Sequence, residues 1–152
     1  MHETTEDQTS SRIKQLSIFL ENHIGALLAV TRVLEAQDIT ICALSIADAA
    51  DHAVVRLVVD RPSLAAAALQ AEGYHLVQSD LLCITPPPGK GIGMRRVLQA
   101  LLAAELNVHY LYGVITAGKN RAALALHVED IERAATTLCE HGLVLLSQDD
   151  LR

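Results

Sequence analysis

The sequence predicts an α+β protein in which one βαββαβ unit is used twice. Two observations carry this. First, apolar residues alternate with polar ones up to Leu20 and then recur at helical spacing after Gly25, so the period changes from that of a strand to that of a helix within one short corner. Second, the chain repeats itself. Val30 matches Val97, Leu34 matches Leu101 and Ile41 matches Val108 at one common offset, while Leu69 with Leu138 and Gly73 with Gly142 match at an offset two residues longer. The extra residues fall where ADAADHA becomes ITAGKNRA, between the middle strands, and a hairpin turn is where an insertion is tolerated.

The elements follow in order. Leu16, Ile18 and Leu20 alternate with Gln15, Ser17 and Phe19, predicting a strand over Ile13–Leu20. Leu27, Val30 and Leu34, widened by Ala26, Val33 and Ala36, make the apolar stripe of a helix over Gly25–Gln37. Strands Ile39–Ala47 and Ala53–Asp60 form a hairpin. The helix Ser63–Glu72 follows Pro62, which suits a first turn, and Gly73 suits its left-handed end before the strand Tyr74–Gln78. The second round runs through strand Leu81–Thr85, helix Gly91–Glu105, and strands Val108–Ile115 and Arg121–Val128 around a Gly118-Lys119-Asn120 turn. Helix Ile131–His141, with Asp130 as N-cap and Gly142 as terminator, and strand Leu143–Ser147 complete it. This split β-α-β order is the ferredoxin-like plan, and the expected total is eight strands, four from each unit. Gln78-Ser79-Asp80 is the only break between the halves. The expected organisation is a tail over 1–11, one module over 12–79 and a second over 80–152.

Composition narrows the function. Hydrophobic residues make up 51% of the 152 and charged ones 20%, so the chain can bury a core; with 3% aromatic residues that core is built from Ala, Leu, Val and Ile. A net charge of -6 and few stacking rings argue against nucleic-acid binding. No apolar run has the length of a membrane span, and the polar, acidic opening MHETTEDQTSS is unlike a secretory signal, so a cytoplasmic location is expected. Cys42, Cys83 and Cys139 form no C-x-x-C and read as small buried residues, and the scattered His residues form no metal-ligand pair. GKGIG at Gly89–Gly93 is not a phosphate loop, since Gly91 follows Lys90 where Ser or Thr is needed. No catalytic residue, metal or cofactor is expected.

The corner Glu21-Asn22-His23-Ile24-Gly25 turns a strand directly into a helix, whose first N–H groups face whatever sits above the strand end. That arrangement suits a carboxylate, and a glycine there lets a ligand approach the backbone. Asn22 can orient an ammonium group, and Ser45 and Asp48 are the polar candidates on the second strand. Taken alone, Gly25 reads as corner geometry and Asn22 as a cap of its own turn. Arg56 reads either as a partner for Asp48 across the hairpin or as an edge charge.

L-E-N-x-x-G-x-L at Leu20–Leu27, A-L-S-I-A-D at Ala43–Asp48 and Y-L-Y at Tyr110–Tyr112 resemble tandem ACT-domain proteins, amino-acid-binding regulatory proteins. The resemblance covers nearly the whole chain after residue 11. It implies two modules side by side, an antiparallel sheet with helices on one face, and amino acids bound where a first corner meets the second strand of a neighbouring module. The ligand-binding positions it implies, together with the chemistry above, are Asn22, His23, Ile24, Gly25, Ala26 and Leu27 at the first corner and Ser45, Ile46 and Asp48 on the second strand. Gly91, Ile92, Gly93 and Met94 at the second corner, and Tyr110 and Tyr112, complete the set. Ile24 stands where the family usually has Pro. Aligning Met94 with Leu27 puts Ile92 at the position of Gly25, a side chain in place of bare backbone, and Pro86–Pro88 remove donors nearby, so the first site is expected to be the working one. The implied partners are an amino acid, a second copy of the chain in a homodimer, and an enzyme of amino-acid biosynthesis. A close variant is a regulatory subunit such as that of acetolactate synthase; the contrasting class is a small ferredoxin-like enzyme.

Overall fold

The computed structural model describes residues 12–21, 23–85, 93–115 and 122–151. The elements are β1 (Arg12–Glu21), α1 (Ala26–Ala36), β2 (Ile41–Ala49), β3 (His52–Val59), α2 (Pro62–Ala71), β4 (His75–Thr85), α3 (Met94–Ala103), β5 (Val108–Val114), β6 (Ala123–Val128), α4 (Ile131–Glu140), β7 (Val144–Leu146) and a 3-10 turn (Gln148–Leu151). The βαββαβ pattern occurs twice, as expected. Seven strands rather than eight are present among the described residues, because the strands expected either side of Gln78-Ser79-Asp80 are one uninterrupted β4. Long-range partners satisfy its polar middle: Gln15 Nε2 donates to Ser79 Oγ at 3.2 Å, and Arg12 Nη1 donates to Asp80 Oδ2 at 3.3 Å.

The chain divides into two compact units, Lys14–Ser79 and Asp80 onward, with Arg12 and Ile13 belonging to the second. In the first unit the strand order is β2-β3-β1-β4. Leu16 pairs with Leu57, and Ile18 with Val55, so Leu16, Ile18 and Leu20 share a face with Val55, Leu57 and Val59. Val30 and Leu34 of α1 and Ala65, Ala66 and Leu69 of α2 bury that face, which places both helices on one side. The opposite face carries the row Ser17, Arg56, Ser45. Arg56 therefore sits on a strand flanked by two others, which removes the edge-charge reading. Gln15, expected to alternate outward, is fully buried.

The second unit repeats the plan with β4, β6 and β5 in order and β7 on β4. Leu82, Ile84, Leu124 and Leu126 face Val97, Leu101, Ala134 and Leu138 of α3 and α4. Both units carry an irregularity in the strand pair, between Ile41 and Ala43 and between Val108 and Tyr110, leaving Cys42 and His109 as the extra residues. The positions match at the offset of the repeat.

Local punctuation holds where it is described. Pro62 opens α2, and the Asp130 carboxylate accepts from Arg133 N–H at 3.1 Å to cap α4. Gly73 and Gly142 end α2 and α4 at positive φ. The Gly118-Lys119-Asn120 turn lies outside the described residues. Cys42 and Cys83 are buried, but Cys139 is exposed, because the stripe of α4 that packs inward is Ala134, Ala135 and Leu138. No helix among the described residues is long and apolar enough to cross a membrane.

Candidate functional site

The corner after β1 is built around Gly25, which has φ 85 and ψ -4 and caps α1 from the left-handed region. A residue with a side chain is strained there, so the glycine is a backbone requirement as well as an opening. An added Cβ would meet nothing within 4 Å, which leaves the approach clear. Among the described residues no side chain caps α1, and no acidic residue stands in its first turn. Ala26 N–H is already taken by the His23 carbonyl at 3.3 Å, so an anion would be received by the N–H groups beyond it.

Beside this corner lies a groove of about 310 Å³, within the first unit. Phe19, Leu20 and Glu21 form its wall from the end of β1. His23, Ala26 and Ala29 come from the corner and the first turns of α1, and Gly73, Tyr74 and His75 from the turn into β4. Antiparallel order explains the meeting, since β4 lies next to β1 and starts where β1 ends. The Phe19 and His75 rings touch with centroids 5.6 Å apart. The volume is at the lower end for small-molecule sites.

The expected site residues distribute as follows. His23 and Ala26 line the groove, and Gly25 shapes its rim. Ile24 is fully exposed, and Leu27 packs partly into the core. Asn22, Gly91 and Ile92 lie outside the described residues, as do Pro86–Pro88. Ser45, Ile46 and Asp48 are on β2, which β3 separates from β1 in the same unit. Ser45 faces Arg56 on one side of the sheet, while Ile46 and Asp48, opposite Val55 and Ala53, are on the other. Tyr110 stacks on His127 at 4.7 Å and 7°, with Tyr112 at 6.3 Å from Tyr110.

The second corner needs a correction. The left-handed residue that starts α3 is Gly93, at φ 64 and ψ 20, with no side-chain cap. The buried stripes still align at the common offset, but α3 begins one residue later against its stripe than α1 does. Bare backbone is thus kept at the start of α3, and the assignment of Ile92 to the role of Gly25 does not hold. Met94 packs against the core of its unit.

Phe19, Leu20, Glu21, Ala29, Gly73, Tyr74 and His75 were not expected at the site. The pairing of first and fourth strands in the ferredoxin-like plan is the signal that points to Tyr74 and His75. A larger recess of about 650 Å³ in the second unit is polar, and its arginines are engaged: Arg12 pairs with Asp80 and Glu132, and Arg133 donates to the Ala104 carbonyl at 2.6 Å. No group of three or more metal-ligating side chains occurs among the described residues.

Comparison with known proteins agrees with this architecture. A crystal structure of protein BT0572 from Bacteroides thetaiotaomicron is 33% identical, with a TM-score of 0.84 over 93% of this chain and 96% of that one. The regulatory subunit of aspartate kinase from Thermus thermophilus shares the fold at 16% identity and a TM-score of 0.61, over 85% of this chain and 92% of that one. No curated protein matches. The family model of the ACT domain pair matches residues 11–152, and the chain belongs to that family.

Proposed function

We propose that this protein is a cytoplasmic, homodimeric regulator that binds an amino acid and does not itself catalyse a reaction. The observation that carries the reading is the groove of about 310 Å³ beside the uncapped start of α1. A free amino acid is a zwitterion. Its carboxylate is suited to the helix start, where N–H groups and the helix dipole favour an anion, and Glu21 on the groove wall suits the ammonium group. Asn22, adjacent in sequence, is proposed to orient the same group. The bound state is passed to a partner enzyme of amino-acid biosynthesis or through the dimer. Membership of the ACT domain pair family and the fold shared with an aspartate kinase regulatory subunit support a regulatory role.

Titration calorimetry with a panel of amino acids tests this. Wild-type protein is expected to bind at least one of them. Gly25→Val, which puts a branched side chain at φ 85, is expected to weaken binding about ten- to a hundred-fold, the cost of a lost charge-assisted hydrogen bond. Ala29→Phe fills the groove from a helical position without backbone strain and is expected to abolish binding. Unchanged binding in both variants would move the site elsewhere.

A further inference from the structure

We infer that the second unit carries a closed counterpart of the groove, and that Arg96 is the residue that closes it, so that the chain holds one amino acid rather than two. The inference rests on the assignment of amino-acid binding to the groove beside α1. The two units match closely around it. Val30 and Val97 are fully buried at equivalent places in α1 and α3, so the residues before them, Ala29 and Arg96, are equivalent too. After the second helix of each unit, Gly73 at φ 85 and Gly142 at φ 74 make the same left-handed turn. The same two bonds close it. Gly73 N–H donates to the Gln70 carbonyl and Tyr74 N–H to that of Leu69, as Gly142 N–H does to Cys139 and Leu143 N–H to Leu138.

What differs is the side chain between these points. In the first unit Ala29 and Gly73 both line the groove, and a Cβ added at Gly73 would meet nothing within 4 Å. In the second unit Arg96 reaches across from α3 to the turn. Its Nη2 donates to the His141 carbonyl at 2.9 Å and lies 3.4 Å from where a Cβ on Gly142 would stand. His141 is the C-cap of α4, so the guanidinium is held by a charge-assisted bond at the negative end of a helix dipole. Glu72, the C-cap of α2, is the counterpart of His141, and the methyl group of Ala29 is too short to reach it. The corners themselves do not separate the units, since α1 and α3 both begin at left-handed glycines. One side chain does.

Equilibrium dialysis counts the bound amino acid per chain, with each of the twenty protein amino acids offered singly to the full chain. Wild type is expected to saturate at one per chain and Arg96→Ala at two. Ala29→Arg, which gives the first unit the side chain of the second at an exposed helix position, is expected to bind about ten-fold more weakly or not at all. The double variant Ala29→Arg/Arg96→Ala is expected to bind one per chain, in the second unit. If Arg96→Ala fails to fold, as judged by circular dichroism, the wild-type count and the Ala29→Arg affinity still decide the matter. Absence of binding of every amino acid by wild type overturns the functional reading itself. Saturation of wild type at two, of folded Arg96→Ala at one or of the folded double variant at none, or undiminished affinity in Ala29→Arg, overturns this inference alone.

Discussion

Among the described residues, two without the freedom of glycine hold left-handed conformations, Asp38 at φ 55 and Glu105 at φ 57. Each ends the first helix of its unit. Asp38 N–H donates to the Glu35 carbonyl and Ile39 N–H to that of Leu34; Glu105 N–H donates to Leu102 and Leu106 N–H to Leu101. These bonds close the helix end as a glycine would, at a cost in backbone strain that glycine avoids. Asp tolerates this region better than Glu, whose longer side chain has no short local hydrogen bond to offer. Glu105→Gly is therefore expected to stabilise the protein by up to about 1 kcal/mol, and Asp38→Gly by less. Urea denaturation checks the order; a loss of stability in Glu105→Gly would show that its side chain contributes more than its strain costs. Neither conformation was legible in the sequence, because both positions sit in ordinary charged stretches, whereas Gly73 and Gly142 were.

At the scale of elements, the four helices start in different ways, and the difference tracks the candidate site. Helix α4 has a side-chain cap from Asp130 and Glu132 in its first turn, and α2 has Pro62 at its first position. Helices α1 and α3 begin at left-handed glycines with no side-chain cap. Asp130→Ala is expected to cost about 1 kcal/mol in global stability, measured by thermal or denaturant unfolding. The same experiment on His23→Ala, next to the start of α1, is expected to show little change, since among the described residues its Nδ1 meets only the neighbouring Ile24 carbonyl. A large loss there would mean that α1 does depend on the corner side chains. The helix ends are also tied across each unit by arginine: Arg61 donates to the carbonyls of Gln37 and Asp38 at the end of α1, and Arg133 to that of Ala104 after α3. Cations at helix C-termini complement the dipole.

For the whole molecule, homodimerisation is the expectation with a direct test. The apolar strand β3 does not supply the surface for it, since Val55, Leu57, Val58 and Val59 are all buried within the single chain. The exposed apolar groups are elsewhere. Leu98 and Leu102 lie one turn apart on α3, at 42% and 76% exposure. Surface of this kind favours association when it is contiguous. Sedimentation at micromolar concentration is expected to give the mass of two chains, and Leu102→Glu to shift it toward one. A monomer for the wild type would overturn the expectation.

The sequence by itself determined what depends on local period and on repetition. The alternation before Leu20, the stripe of Val30 and Leu34 and their matches at Val97 and Leu101 are enough to specify a doubled βαββαβ chain, because burying one face of a strand or helix imposes its period on the residues. Pro62, Asp130, Gly73 and Gly142 were legible for the same reason: each acts within its own turn. Tertiary structure alone decided what depends on residues far apart in the chain. The polar stretch Gln78-Ser79-Asp80 stays in β4 because Gln15 and Arg12 supply its hydrogen bonds across more than sixty intervening residues. The groove exists because the end of β1 and the start of β4 are neighbours in an antiparallel sheet, which brings Phe19 onto His75. A single residue of slippage at the start of α3 moved the bare cap from Ile92 to Gly93, since a helix can begin one residue later without disturbing the stripe it buries.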